Sequence, residues 1–176
     1  MTDILHQVEE AFRRGDYLQT FDLAHRAAGE PDAPLRLRYL EVLAAARLGD
    51  TANAQFLFRN RGLDLEDDID CLGLKARLIK DEAFAIAGPD RISKLHEAGA
   101  AYEAALARRY DSFPAINAAS LWHMAGEPDL ARTIARDLLA KLRQLDTLVA
   151  DAEPDYFRLA TEAEAHLLLG NVDAAS

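Results

Sequence analysis

Two ten-residue stretches of the chain follow one pattern, GDYLQTFDLA at positions 15–24 and GDTANAQFLF at positions 49–58. Glycine, aspartate and a small residue five positions after the glycine recur with a step of 34 residues. Glycine readily adopts the left-handed conformation that ends a helix, and aspartate is favoured at the start of the next helix. The pattern therefore predicts a repeated unit of two helices joined by a tight turn.

The same signal returns later in the chain. Gly126 and Gly170 open the stretches GEPDLA and GNVDAA, each with alanine five residues after the glycine. Between the early and late copies, apolar periodicity predicts helices over 71–87 and 92–108, separated at Gly88-Pro89-Asp90. The third repeat is therefore expected to be irregular, with a first helix extended by about a dozen residues.

Three further helices complete the predicted order. They extend from Phe113-Pro114 to the Gly126 turn, from Leu130 to about Leu148, and from Asp155 to Leu169. The chain would thus contain about five repeats, of which the fifth is truncated after Gly170. We expect one domain over residues 1–176, and the interrupted last repeat predicts a fragment of a longer protein.

Composition agrees with an all-α protein. The chain contains 34 Ala and 27 Leu, whereas Val, Ile and Thr together number 17. The net charge of −10 disfavours nucleic acids and anionic membranes as partners, because both repel negative charge. A single cysteine, Cys71, excludes an internal disulfide and indicates a reducing compartment, so we predict a cytoplasmic protein.

The repeated pattern resembles the tetratricopeptide repeat (TPR) family, whose 34-residue repeats each form two antiparallel helices. Gly15-Asp16-Tyr17 corresponds to the family's turn, and Ala54 and Phe58 correspond to its small and aromatic positions. The resemblance implies an all-α, right-handed α-solenoid and a function in binding proteins or peptides.

Residues 70–140 also resemble the TRAFs-binding-domain-like helical repeats of bacterial multidomain proteins. The clearest stretch is Asp111 to Ala119, DSFPAINAA, although Phe113 and Ala115 stand where that family often has Tyr and Gly. This resemblance implies a regulatory or scaffolding region beside a nucleotide cyclase, kinase or protease domain.

The residues give no sign of catalysis. No phosphate-binding glycine loop or catalytic motif is present, and the five histidines are well separated in sequence. The acidic run at positions 64–70 lacks the glycine and the closing glutamate of an EF-hand, and we expect it to stabilise the start of the next helix. Cys71 is expected to be a core or interfacial thiol. We therefore predict no enzyme activity, no cofactor and no metal.

The TPR resemblance also implies a binding groove, because first-helix positions of this family line the concave face. The corresponding candidate contact residues are Arg36, Tyr39, Arg47, Asn117, Ser120 and His123. Asn117 is expected to bond a peptide backbone or, alternatively, to cap or bridge helices. Phe157 and Thr161 occupy the basic positions of the family's carboxylate clamp, so we do not expect a co-chaperone.

These observations predict a non-catalytic scaffold module that binds a protein or peptide. Two alternatives remain open at this point. The first is a regulatory N-terminal region of a larger signalling enzyme, and the second is a self-association module that forms a homo-oligomer.

Overall fold

The computed structural model describes residues 2–148 and 156–171, and this part of the chain consists of helices and their connections, without a β-strand. The described α-helices are α1 (Thr2–Arg13), α2 (Tyr17–Ala28), α3 (Leu35–Arg47), α4 (Thr51–Asn60), α5 (Ile69–Ala85), α6 (Pro89–Arg108), α7 (Ser112–Met124), α8 (Pro128–Leu148) and α9 (Tyr156–Leu168). The predicted all-α class is confirmed for these residues.

The two stretches that repeat in the sequence form the same turn. Gly15 and Gly49 adopt the left-handed conformation, with φ of 76° and 83°. The side chain of Asp16 then accepts a hydrogen bond from the backbone N–H of Gln19 at 3.0 Å, and Asp50 repeats this cap three residues before Asn53. The predicted helix–turn–helix unit therefore rests on the chemistry expected of it.

The small residue five positions after each turn glycine is fully buried. Thr20, Ala54 and Ala131 each have no exposed surface. A larger side chain at these positions would hold the paired helices apart, because protein interiors are close-packed. Burial thus explains why the sequence keeps this position small in each described copy.

The chain divides into two compact units, with the boundary between Asp81 and Glu82. In the first unit one core cluster contains Val8 and Leu37, and another contains Leu43, Phe58 and Leu74. In the second unit, a cluster from α7, α8 and α9 comprises Ala115, Ile116, Ala135, Leu138, Leu139, Leu142 and Ala165. Whether residues 1–176 form one domain stays a prediction.

The predicted extension of the first helix of the third repeat by about a dozen residues is wrong in position and size. Helix α5, the first helix of the third repeat, has 17 residues against 13 in α3. The remaining extra residues of this repeat lie in the connection between α4 and α5. There, Gly62 in the left-handed conformation precedes a 3₁₀ turn, Leu63–Leu65. Asp68 then accepts hydrogen bonds from the N–H groups of Asp70 and Cys71, at 2.9 and 3.2 Å. The helix-start role predicted for the acidic run is therefore confirmed at Asp68.

The other predicted helices agree with the structure to within a few residues. The largest shift is at α6, which begins at Pro89 because proline suits a first helical turn. The predicted start of the last helix, Asp155, lies outside the described residues. Residues 172–176, in which the truncated fifth repeat ends, also lie outside them. No helix within the described ranges is long and apolar enough to cross a membrane.

A buried carboxylate joins three helical segments of the first unit. Glu41 of α3 has no exposed surface, and its two oxygens accept hydrogen bonds from Arg61 at 2.7 and 2.8 Å. His25 Nδ1 of α2 lies 2.6 Å from Glu41 Oε1. The hydrogen bond with Glu41 raises the pKa of Arg61, which therefore keeps its charge beside the carboxylate.

We expect Arg61→Met to lower the free energy of unfolding by about 3–5 kcal/mol, because it leaves a buried carboxylate without its cation. Urea denaturation of the purified chain measures this loss. Arg59→Met is the matched control, since Arg59 is an exposed residue of the same helical segment; its effect should stay within about 0.5 kcal/mol. Equal effects of the two changes would contradict a stabilising role for the pair.

A glycine of α6 allows an indole ring to lie against the helix in the second unit. A Cβ atom added at Gly99 would come within 3.0 Å of the Trp122 ring. The indole Nε1 also donates a hydrogen bond to Glu103 at 3.0 Å, one turn along α6. Trp122 of α7 therefore packs against α6.

We predict that Gly99→Ala lowers the free energy of unfolding by about 1–3 kcal/mol, because the new methyl group overlaps the indole. Gly73→Ala is the control, since nothing lies within 4 Å of the equivalent Cβ position inside α5. This control should raise stability by about 0.5–1 kcal/mol, the usual gain of alanine over glycine in a helix. Chemical denaturation of both variants tests the comparison. Stabilisation by Gly99→Ala would show that the indole moves aside freely.

Candidate functional site

Arg36 connects the first helices of three successive repeats in the first unit. Its guanidinium on α3 lies 3.4 Å from a carboxylate oxygen of Glu9 on α1 and 3.5 Å from one of Asp70 on α5. The guanidinium carbon also lies 5.3 Å from the centre of the Tyr39 ring, within cation–π range. The structure thus brings together two of the predicted contact residues, Arg36 and Tyr39.

A small pocket opens beside this arginine. It has a volume of about 190 Å³ and is lined by Glu9, Phe12, Arg13, Arg36 and Leu40. Phe12 and Leu40 belong to the apolar packing between α1 and α3, whereas the other three lining residues are charged. The pocket therefore offers an apolar contact next to guanidinium donors, which suits an apolar side chain that neighbours a hydrogen-bond acceptor.

The hydroxyl of Tyr39 keeps its proton over a wide pH range. Burial is the largest cause that raises the pKa of Tyr39 to about 12, and the Asp70 carboxylate adds to it while Arg36 opposes it. A neutral phenol is a hydrogen-bond donor at physiological pH. Tyr39 is half-buried, so part of its aromatic ring lies at the surface.

Sequence reasoning did not select Glu9 and Asp70. Asp70 follows Arg36 by 34 residues, so both are the second residue of a first helix in successive repeats. This shared register is a signal that would have identified Asp70. Glu9 has no such relation, because its approach to Arg36 depends on how α1 packs against α3.

Arg47 does not join Arg36 and Tyr39. It lies near the end of the same helix, roughly 16 Å further along at 1.5 Å per residue. Its guanidinium carbon is 5.8 Å from the centre of the Tyr17 ring on α2. The exposed Arg47 therefore packs at the turn end of its repeat, away from the Glu9–Arg36–Asp70 contacts.

The other three predicted contact residues lie on α7 in the second unit. Asn117 Nδ2 donates a hydrogen bond to the carbonyl oxygen of Phe113 at 2.9 Å, one turn earlier in the same helix. The Ser120 hydroxyl donates to the carboxylate of Glu164 on α9. His123 is exposed in the last turn of the helix. Part of the hydrogen-bonding capacity of Asn117 and Ser120 is thus used within the unit.

The described residues give no support to metal or thiol chemistry. They contain no group of three His, Cys, Asp or Glu side chains placed to hold a metal ion. Cys71 is buried, and burial is the main cause that raises the pKa of its thiol to about 12. A thiol that keeps its proton is a weak nucleophile, which agrees with the predicted core position.

Comparison with known families gives the class of this protein. The family model Tetratricopeptide Repeats-Sensor (TPR-S) matches residues 16–122, which is more than half of the chain. The chain therefore belongs to the TPR-S family, and the TPR resemblance seen in its sequence is confirmed. The narrower resemblance of residues 70–140 to TRAFs-binding-domain repeats stays a prediction.

A solved structure has the same fold. The crystal structure of TTC0263, a thermophilic TPR protein in Thermus thermophilus, aligns with a TM-score of 0.76 at 16% sequence identity. The alignment covers 99% of this chain and 85% of that protein. At this identity the match supports the fold alone, and it confirms the predicted TPR-like architecture. No curated protein is significantly similar in sequence.

We expect Tyr39 to remain protonated at about pH 11, where an unperturbed phenol with a pKa near 10 is mostly ionised. The difference in absorbance at the phenolate band between the wild type and Tyr39→Phe isolates this group during an alkaline titration. Because the folded state keeps a proton that the unfolded chain loses, the contribution of Tyr39 to stability falls between pH 10 and 12.

Asp70→Asn provides the internal comparison for this titration. Removing the carboxylate should lower the pKa of Tyr39 but leave it above 10, because burial is the larger cause. Ionisation of Tyr39 near pH 10 in the folded wild type would contradict the buried, acidic environment described above.

Proposed function

We propose that the chain is a non-catalytic recognition module that binds a segment of a partner protein on the first-helix surface of its first unit. The TPR fold is the fold of protein-interaction scaffolds, and this assignment holds for the chain at that level. The observation that carries the finer proposal is the Arg36–Tyr39 pair beside the pocket. Arginine and tyrosine are among the residue types that dominate binding energy at protein interfaces.

The ion pairs of Arg36 suit exchange with a partner. Its side chain is 45% exposed, and its separations of 3.4 and 3.5 Å from the two carboxylates are longer than those of the buried Glu41–Arg61 pair. Exposed pairs of this kind contribute only about 0–1 kcal/mol, so a partner's acceptor group replaces them at small cost. Glu9 and Asp70 meanwhile hold the guanidinium in place before the partner arrives.

The proposed ligand is a peptide with an apolar side chain next to a carbonyl or carboxylate acceptor. The half-buried Phe12 would contact the apolar side chain, and Arg36 would donate to the acceptor. The neutral Tyr39 hydroxyl supplies a further donor. Such a ligand binds either as an extended strand-like segment or as a helix laid against the first helices.

A second candidate function is a regulatory region within a larger signalling enzyme. The chain belongs to the Tetratricopeptide Repeats-Sensor family, and a sensor role favours binding that is relayed to another activity. This role uses the same recognition surface. It differs from a free-standing scaffold only in the consequence of binding.

Self-association and cytoplasmic location remain part of the proposal. Self-association is supported by the exposed aromatic side chains of Tyr156 and Phe157 on α9, which are 77% and 78% exposed. The proposed location rests on the single cysteine of the sequence.

The recognition proposal is tested with peptides selected from a random library by the purified wild-type chain. We expect Arg36→Ala and Tyr39→Ala to weaken the selected peptides by roughly tenfold or more in calorimetric titrations, as for interface hot spots. Circular dichroism should show unchanged helical content. Arg26→Ala, an exposed arginine of α2, is the matched control and should bind like the wild type.

The same titration shows whether Asn117 belongs to the site. Loss of affinity in Asn117→Ala would extend the site to the second unit, whereas unchanged affinity removes Asn117 from it. Peptides that bind Arg36→Ala as tightly as the wild type would exclude the proposed surface.

Light scattering before the titration separates a self-associating chain from a monomer. An effect of Arg36→Ala on the activity of the full-length gene product, without a selected peptide, would favour the regulatory candidate.

A further inference from the structure

The second unit contains a cavity that the proposed recognition surface does not use. It has a volume of about 300 Å³ and is lined by residues of α6 and α8, by Tyr110 and by Ala115 near the start of α7. Leu106 and Ile134 form apolar walls, whereas Glu103 and Asp137 place carboxylates around it. Tyr110, which connects α6 to α7, supplies an aromatic ring that packs against the core of the unit.

A cation already lies on this aromatic ring. The ammonium nitrogen of Lys141 is 3.6 Å from the centre of the Tyr110 ring, well inside the range of a cation–π contact. Lys141 is exposed and projects from α8 at the edge of the cavity. Its side chain thus shows which chemical group the ring accommodates.

The position of Lys141 is unexpected from its helix alone. Asp137 precedes it by one turn on α8, a spacing at which opposite charges usually attract each other. Within the described ranges these two residues form no ion pair, because the ammonium lies over the ring instead. The Asp137 carboxylate therefore lines the cavity without an ion pair to Lys141.

The surroundings of the ring are negatively charged. Besides burial, the carboxylates of Asp111 and Asp137 raise the pKa of Tyr110, to about 12. Glu103 adds a third carboxylate, one oxygen of which accepts the hydrogen bond from Trp122. Carboxylates on this side of the ring attract a cation and repel anions.

We propose that this cavity binds a protonated alkylamine or guanidinium group, and that Lys141 occupies the site until such a cation displaces it. The ligand's charged end would lie on the Tyr110 ring near Asp137, and its alkyl chain would contact Leu106 and Ile134. The volume is at the lower end for small-molecule pockets, about 300–1,000 Å³, and suits a single short chain. Two sources supply this chemistry, a free amine or a basic side chain of a partner protein.

Calorimetric titration of the purified chain with agmatine and with Nα-acetyl-arginine amide tests the proposal and separates the two sources. The first probe is a free guanidinium compound, and the second presents the same group as a protein would. Binding of agmatine alone identifies a small-molecule site, and binding of the amide identifies a docking site for a basic side chain. N-acetyl-glutamate is the charge-reversed control and should not bind. Absence of binding by both cations, to the wild type and to Lys141→Met, overturns the proposal.

Three substitutions of cavity residues are expected to change the affinity for the cation, two of them downward and one upward. Asp137→Asn should weaken the cation by roughly tenfold and Tyr110→Leu by about fivefold, through loss of a charge-assisted contact and of the ring. Lys141→Met should strengthen binding, because the competing ammonium is removed. Asp22→Asn and Lys75→Met, exposed residues of the first unit, are the matched controls. Weaker binding by Lys141→Met would show that the ammonium is not a competitor and would overturn the inference.

The exposed position of Asp137 keeps the test valid if Tyr110→Leu impairs folding. Arg36→Ala should leave cation binding unchanged, because Arg36 belongs to the first unit. Failure of the cavity proposal is therefore distinguishable from failure of the recognition proposal.

Discussion

The buried carboxylate of Glu41 joins α2, α3 and the end of α4 in the first unit. A charge without solvent is tolerated only when hydrogen bonds compensate for it, and here Arg61 supplies two of them while His25 approaches the same oxygen. The pair lies at the end of α4, because Arg61 follows that helix directly. The irregular segment that leads to α5 begins beside the pair, since Gly62 turns the chain immediately after Arg61.

This constraint has a consequence for the candidate site. Helix α3 carries Glu41 on one side and Arg36 on another, so the helix is held by a buried pair while its exposed pair faces α1 and α5. The buried pair is short and inaccessible, whereas the exposed pair is longer and reachable by a partner. One helix thus combines a stabilising ion pair with one suited to exchange, and burial accounts for the difference.

The second unit uses its polar groups differently. Its close packing depends on a missing side chain at Gly99, against which Trp122 lies. The indole N–H is satisfied by Glu103, whose carboxylate also reaches the cavity beside Tyr110. A residue that satisfies a buried donor therefore contributes to the electrostatics of a neighbouring site. The two units present different surfaces, an arginine beside an apolar pocket in one and an acidic aromatic cavity in the other.

Local chemistry accounts for the features that were predictable from the residues alone. The turn at Gly15, the cap at Asp16 and the burial of Thr20 depend on neighbours a few positions away, so the repeat step and the helix order followed from the sequence. The irregular segment between α4 and α5 did not, because it depends on a turn at Gly62 and on a cap at Asp68. Likewise, Arg36 and Tyr39 were recognisable by repeat position, but Glu9 and the Lys141 contact with Tyr110 were not. These contacts depend on how separate helices pack against each other. A long flexible side chain can contact only the groups that this packing places within its reach.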